Sequence, residues 1–445
     1  MKSVEKVMDV YLDNLISSSL VIPFNEIGDD PTLQLHDLVH DFCLIKATKE
    51  KFFEQLSSSA PSSSSDLMPR IVTIDYNIEL LEFNDFFLFG SNKKRHSCKH
   101  LYSLYITGDE LDDRLSDICH LRHLRLLRVL NLDPSIIGNN FLLNEICMLN
   151  HLRCLCIGTE VKSLPLSFSN LWNLEILGVS NEGSTLVLLP RIWDLIKLRV
   201  LAMSPCSFFD LDADEPILIA EDTKLESLRK LGNCKLSYSK DREDIFERFP
   251  NLQDLRFDLK ESWDYSTEQY WLPKLDFLTE LESLNVVFES SNTNDRSPSV
   301  GTNQPWDFHF PSSLKQLRLF DFPLTSDALS TIVRLPNLEE LSLYDTIIQG
   351  VEWNMGEEDT FENLKFLKLF GVTLAKGEVG EESFPVLEKL VLWGCSELEE
   401  IPPCFGDIYS LKIIKVVNNH QLKDSAMMIK QYVEDTRGED KLQVL

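Results

Sequence analysis

Hydrophobic and polar residues alternate over short stretches that return along most of the chain. In Leu338-Glu339-Glu340-Leu341-Ser342-Leu343, leucines stand at the first, fourth and sixth positions. Alternation with a period of two predicts a short β-strand whose leucines point to one side. The fourth position of this pattern falls at thirteen places, namely Leu104, Leu130, Leu155, Leu177, Leu201, Leu228, Leu255, Leu284, Leu317, Leu341, Leu367, Leu390 and Ile414.

Successive fourth positions are 22 to 33 residues apart, which is the signature of leucine-rich repeats. A single repeat cannot bury its apolar side, so stacked repeats would share one long core behind a parallel sheet on the concave side. The predicted fold is therefore α/β, a leucine-rich-repeat solenoid of about 13 repeats. We expect it to span residues 70–420, with a carboxy-terminal cap at 421–445.

The amino-terminal part of the chain follows a different pattern. Apolar residues at helical spacing predict a first helix that ends near Ser17, and Asp37 to Phe53 predicts a second amphipathic helix. Two short apolar runs between them predict a hairpin. Helix, hairpin and helix are typical of a small winged-helix module, here over residues 1–53. Serine and proline at 54–69 predict a flexible linker.

Charge and cysteine content narrow the choice of partner and compartment. Asp and Glu number 71 against 43 Lys and Arg, which gives a net charge of −28. Such an acidic surface repels phosphate backbones, so nucleic acid is not expected as the main partner. The sequence shows no transmembrane run and no signal peptide. Ten scattered cysteines and the lack of an N-glycosylation sequon favour the cytoplasm, with peripheral membrane or nuclear locations left open.

No combination of residues predicts catalysis or metal binding. The sequence contains neither a phosphate-binding P-loop nor a nucleophile elbow, so we expect no enzyme activity. His36 and His40 are spaced like zinc ligands, but no third ligand is indicated and we expect no metal site. Cys206 and Cys395 stand three residues beyond their strands, where a side chain is expected to fill the turn.

Four consecutive repeats place an aromatic residue directly after the inward leucines, namely Phe320, Tyr344, Phe370 and Trp393. In one column of a parallel sheet such rings would stack about 5 Å apart. The cations expected on the same face are Arg318, Lys368, Lys389 and Lys415. Aromatic residues and arginine are enriched at binding hot spots. We therefore predict a partner-binding surface, with two alternatives left open: docking of another domain of the same protein, and packing alone.

Two motifs resemble a known family. Tyr11-Leu12-x-x-Leu15-Ile16-x-x-Ser19-Leu20-Val21 and Leu35-His36-Asp37 resemble the end of the nucleotide-binding region of plant nucleotide-binding leucine-rich-repeat disease-resistance proteins. The likeness is to the coiled-coil type and its late-blight-resistance group. In that family the second motif reads Met-His-Asp, so Leu35 departs from it. Repeats with a leucine-proline pair, such as Leu164-Pro165, are similar to those of intracellular plant leucine-rich-repeat proteins.

The resemblance implies a function. In the family, repeats recognise a pathogen effector or a modified host protein and restrain a nucleotide switch, and release leads to defence and hypersensitive cell death. His36 and Asp37 would contact ADP or ATP only beside a nucleotide-binding domain, which would also be a docking partner within the receptor. The chain is then a carboxy-terminal part that holds no cofactor by itself. The alternative is a repeat-only interaction scaffold or a ubiquitin-ligase substrate adaptor.

Overall fold

The computed structural model describes residues 4–24, 28, 32–50, 52–57, 70–76, 100–108, 121, 124–137, 140–181, 185–187, 190–207, 223–236, 245–260, 263–264, 269–270, 272–290, 306–348, 352–354, 359–378, 382–438 and 442–445. The chain divides into two compact units, residues 1–159 and 160–445. Each unit is described by itself.

The unit of residues 1–159 begins with a helix, a hairpin and a second helix, and continues with parallel strands. Its helices are α1 (Val4–Ser17), α2 (Asp37–Lys49) and α3 (Asn140–Ile146). Its strands are β1 (Val21–Phe24), β2 (Thr32–Leu35), β3 (Phe53–Ser57), β4 (Ile71–Tyr76), β5 (Ser103–Gly108), β6 (Val129–Ile137) and β7 (Cys154–Thr159).

In this unit β1 and β2 pair antiparallel, and β3 to β7 form a parallel sheet in chain order. Leu104, Leu130 and Leu155 stand in register and are fully buried. The helix, hairpin and helix are present, while the winged-helix arrangement stays a prediction. Most of the predicted loop between the two hairpin strands lies outside the described residues.

Two expectations about the junction after α2 are wrong. The second helix ends at Lys49 rather than Phe53, and Phe53–Ser57 forms a strand rather than the start of a linker. This segment is extended because its backbone pairs residue by residue with Ile71–Asp75 of β4. The rest of the predicted linker, 58–69, lies outside the described residues. The domain division itself stays a prediction.

Strands outnumber helices in the described part of the unit of residues 160–445. Its helices are α4 (Ser326–Val333) and α5 (His420–Arg437). Its strands are β8 (Ile176–Asn181), β9 (Leu186–Val187), β10 (Val200–Ser207), β11 (Lys230–Leu236), β12 (Asp254–Lys260), β13 (Trp263–Asp264), β14 (Gln269–Tyr270), β15 (Ser283–Glu289), β16 (Gln316–Phe320), β17 (Pro323–Leu324), β18 (Glu340–Tyr344), β19 (Ile347–Ile348), β20 (Glu352–Asn354), β21 (Phe366–Phe370), β22 (Lys376–Glu378), β23 (Lys389–Trp393), β24 (Ile413–Val417) and β25 (Gln443–Val444).

Eleven of these strands lie side by side in one parallel sheet, in the order β8, β10, β11, β12, β15, β16, β18, β21, β23, β24 and β25. The short β9 joins the same sheet by pairing with the end of β10. The predicted inward leucines align from strand to strand and are almost completely buried. Burial of each large aliphatic side chain contributes about 1.5–3 kcal/mol. The leucine-rich-repeat fold with a parallel sheet is therefore confirmed.

One repeat has a different register from the predicted one. Leu231, and not Leu228, pairs with Leu201 and Leu255. The next inward side chain is Cys234, because Asn233 has a left-handed backbone (φ 61°) and the register shifts at this point. Leu228 is buried in the turn before the strand. The extra residue interrupts the inward–outward alternation of the strand. The leucine pattern in the sequence was therefore assigned to the turn before the strand instead of to the strand itself.

The connections that return from the sheet use short 3-10 segments, preceded by proline at Pro165 and Pro402. The last helix, α5, buries Leu422, Ala426 and Ile429. Its amino end is capped by the Asn419 side chain, which accepts a hydrogen bond from Leu422 N at 3.0 Å.

Candidate functional site

The four aromatic residues predicted to stack do so. Phe320, Tyr344, Phe370 and Trp393 hold the same register position on β16, β18, β21 and β23. Their successive ring centroids are 4.3, 5.8 and 5.5 Å apart, and the first pair is nearly parallel at 6°. Trp393 is 36% exposed and the other three are half-buried. We call these four residues the aromatic ladder.

Three of the four predicted cations lie in the row beside the aromatic ladder, two residues before the ladder position of their strand. Arg318, Lys368 and Lys415 share that row with Ser342 and Val391. Lys368 Nζ lies 4.9 Å from the centroid of the Tyr344 ring, a cation–π contact. Lys368 and Lys415 have no ion-pair partner among the described residues. The structure thus brings together all seven predicted partner-binding residues on one face.

Lys389 does not contribute as expected. It lies on the same face, but its side chain is buried, with Nζ 5.7 Å from the centroid of the Phe366 ring. The neighbouring Phe366 is itself buried, so the long lysine stem packs instead of reaching solvent. The positive charge beside the ladder therefore comes from Arg318, Lys368 and Lys415.

A turn directly follows each ladder residue and holds it in place. Asp321, Asp345, Gly371 and Gly394 all have a left-handed backbone, with φ between 47° and 64°. The N–H of each donates to the carbonyl of the next strand: Asp321 to Tyr344 at 2.9 Å, Asp345 to Phe370 at 2.7 Å and Gly371 to Trp393 at 2.8 Å. These bonds fix the strand ends and with them the backbone positions of the rings.

Earlier strands of the same sheet have different side chains on this face. The row that holds Lys368 in β21 holds Gly178, Ala202 and Gly232 in β8, β10 and β11. An ion pair joins β11 and β15, in which Lys235 Nζ contacts Glu289 Oε1 at 2.5 Å. Burial, and then Glu289, raise the pKa of the neighbouring Asp258 carboxyl.

The residues two positions before each central inward side chain form an edge column, a feature that the sequence reading missed. In this unit the column alternates in sign over six strands, namely Glu282, Lys315, Glu339, Lys365, Glu388 and Lys412. Ion pairs join them at 2.9 Å (Lys315–Glu282), 2.7 Å (Lys365–Glu339) and 2.5 Å (Lys412–Glu388). The hydrogen bond from Glu339 raises the pKa of Lys365. The sequence does carry a signal for this column, because residues of alternating charge stand two positions before the central leucine or isoleucine of successive repeats.

Cys395 fills the turn after β23, as predicted, whereas the expectation for Cys206 is wrong, because Cys206 lies within β10 and is in register with Cys234 of β11. Both are buried, and the Cys395 thiol lies 3.4 Å from the Leu369 carbonyl oxygen. Burial raises the pKa of both thiols, which disfavours the reactive thiolate.

His36 lies between β2 and α2, where its Nδ1 accepts a hydrogen bond from Leu38 N at 3.2 Å. Asp37 is the first residue of α2. This histidine thus caps a helix in the 1–159 unit. Among the described residues, no group of three His, Cys, Asp or Glu side chains is arranged to hold a metal ion. No helix in the described part of the chain has the length and apolar content to cross a membrane.

Comparisons with known proteins identify relatives. The model of the family described as "Leucine-rich repeat region" matches residues 100–436. A putative late blight resistance protein homolog of Solanum demissum is 31% identical over 98% of this chain and 33% of its own length. Late blight resistance protein R1-A of the same species is 31% identical over 98% of this chain and 33% of its own length. The chain thus spans about a third of these relatives.

The solved structures similar to this chain include an internalin from Listeria monocytogenes. It is 16% identical, with a TM-score of 0.48, and the match covers 79% of this chain and 88% of the internalin.

Proposed function

This chain belongs to the leucine-rich-repeat family and resembles the late blight resistance proteins over nearly its whole length, and on that premise we propose that it is the recognition part of a plant disease-resistance receptor. The aromatic ladder carries the proposal. It would bind a protein partner, either a pathogen effector or a host protein that an effector has modified.

The chemistry of the ladder supports binding more than packing. The leucine core already stabilises the strands, and β8 and β10 form the same sheet with Ser180 and Ser204 in place of rings. Stacked rings offer large, rigid contact area at low entropic cost, and a lysine above Tyr344 adds a charged contact. The surface therefore combines an apolar centre with cationic neighbours.

The remaining parts of the proposal come from the relatives. In a longer receptor the repeats would restrain a nucleotide switch, with His36 and Asp37 facing ADP, and release would start defence and cell death. Such a protein would act in the cytoplasm. These roles need a nucleotide-binding domain. Since His36 Nδ1 accepts the hydrogen bond of the helix cap, Nε2 is the ring nitrogen that would contact the nucleotide.

The test joins this chain to the amino-terminal part of relative R1-A, from which it takes a nucleotide-binding domain, and expresses the chimera in leaves. Phe370→Ala with Trp393→Ala removes half of the ladder. Ile176→Ala with Val200→Ala is the matched control, because both residues lie on the same face of the sheet in β8 and β10. Cell death with and without the pathogen is measured at equal protein level.

Loss of the pathogen-triggered response in the ladder variant, but not in the control, supports partner recognition. Cell death without the pathogen in the ladder variant would instead indicate docking within the receptor. A normal response in both variants contradicts the proposal and leaves packing as the role of the ladder.

A further inference from the structure

The 1–159 unit has its own edge column, at the same backbone position as the one in the other unit. Its members are Phe52, Arg70, Tyr102, Arg128 and Arg153. The equivalence is given by the hydrogen bonds: Arg128 N and Val129 N both donate to the Tyr102 carbonyl, at 2.8 and 3.0 Å. Lys315 N and Gln316 N donate in the same way to the Glu282 carbonyl, at 2.8 and 2.9 Å.

Among the described residues, aromatic rings and not carboxylates lie beside Arg70 and Arg128. The guanidinium carbon of Arg70 is 5.2 Å from the ring centroid of Phe52 and 5.8 Å from that of Tyr102. The guanidinium carbon of Arg128 is 5.1 Å from the Tyr102 centroid. Tyr102 therefore has an arginine from each neighbouring strand. Stacking holds a planar guanidinium in one orientation while its N–H edge stays available to an acceptor.

The positive charges of Arg70 and Arg128 are not neutralised by a carboxylate within the described part of the unit. Neither Arg70 nor Arg128 has a carboxylate within ion-pair distance there, and both side chains are exposed. In the other unit every lysine of the edge column has a glutamate within 2.9 Å. Two arginines without a carboxylate partner in the described part of the unit are unexpected on a chain with a net charge of −28, because carboxylates are abundant.

We propose that the arginine column of the 1–159 unit binds an acidic polypeptide segment of a partner protein. Carboxylates of that segment would take the place that glutamates hold beside the lysines of the other edge column. Arg70 and Arg128 lie two strand spacings apart, about 10 Å. A single small anion does not span that distance, whereas an extended peptide presents side chains about 7 Å apart on one side. Planar guanidinium groups bind carboxylates in a bidentate manner.

The test measures binding of a fluorescein-labelled 14-residue peptide of alternating glutamate and serine to the whole chain, by fluorescence anisotropy at low salt. A glutamine–serine peptide of equal length is the control probe. Arg70→Gln with Arg128→Gln removes the proposed contacts. Lys315→Gln with Lys365→Gln is the matched control, because it changes the net charge by the same amount in the other edge column.

We expect the glutamate peptide to bind and the glutamine peptide not to bind. The arginine variant should weaken binding about tenfold or more, and the lysine variant less than about twofold, since each charge-assisted hydrogen bond contributes over 1 kcal/mol. Arg70→Lys with Arg128→Lys keeps the charge but loses the stacked plane, and should weaken binding by an intermediate factor. Circular dichroism and melting confirm that each variant is folded.

Equal weakening in the arginine and lysine variants would overturn the proposal, because the effect would then follow net charge alone. Equal binding of the glutamine peptide would overturn it as well. Sodium pyrophosphate is the third probe. If it binds with the same dependence on Arg70 and Arg128 while the glutamate peptide does not bind, the site is one for phosphate, and the proposed partner is wrong.

Discussion

In the sheet of the 160–445 unit, two groups of strands have the same backbone arrangement but different side chains on one face. Strands β8 and β10 show glycine, alanine and serine, whereas β16 to β23 show the aromatic ladder and its cations. The inward layer is the same in both, since Leu177 and Leu201 are as buried as Leu317 and Leu341. The fold therefore constrains one side of each strand and leaves the other side free to carry function.

The largest expected effect tests whether the inward layer really is equivalent in the two groups. Leu201→Asp and Leu341→Asp each place an unpaired carboxylate in the core, which costs about 4 kcal/mol or more in the free energy of unfolding. Both variants should lose the cooperative melting transition and become sensitive to protease. Unchanged melting of either one would contradict the assigned register.

A smaller effect concerns the turns that hold the ladder. Gly371→Ala forces a left-handed backbone on alanine, which costs about 1–2 kcal/mol, and its new Cβ would also collide with the Asp345 carboxylate. Gly394→Ala has nearly the same φ, but nothing lies within 4 Å of the new Cβ. Urea unfolding should rank Gly371→Ala as the less stable variant. The reverse ranking would show that the contact with Asp345 does not define this turn.

The smallest effect is a pH dependence at β12, between the two groups of strands. The pKa of Asp258 is raised by burial and by Glu289, so the native state holds its proton more tightly than the unfolded chain. Its contribution to stability is therefore highest at low pH and falls as pH rises through the raised pKa. Asp258→Asn should be more stable than the wild type at pH 8, with the gap closing towards pH 4 in urea unfolding. A gap that is constant with pH would contradict this assignment.

The register of the sheet was largely predictable from the sequence, because inward leucines must recur wherever a strand stacks on the core. The predicted register was wrong at Leu228 for a local reason. The turn before each strand also carries two buried residues three apart, as in Leu225 and Leu228, so a bulged strand can be mistaken for its own turn. The alternation of apolar and polar residues does not predict that the backbone of Asn233 is left-handed.

The aromatic ladder was predictable because its position follows directly from the register. The burial of Lys389 was not, since it depends on a ring of the neighbouring strand. Both edge columns were also missed. Their residues stand just before the strands, and their partners are 18 to 33 residues away in the chain.

The most direct test of the ladder as a binding surface is photo-crosslinking from within it. Tyr344 is replaced by benzoylphenylalanine, which keeps an aromatic ring, and Val200 on β10 is replaced in the same way as the control. Each chain is irradiated in extracts of leaves with and without pathogen challenge. The account predicts a crosslinked polypeptide from position 344 that is absent or much weaker from position 200. Equal crosslinking from both positions, or none from either, would contradict it.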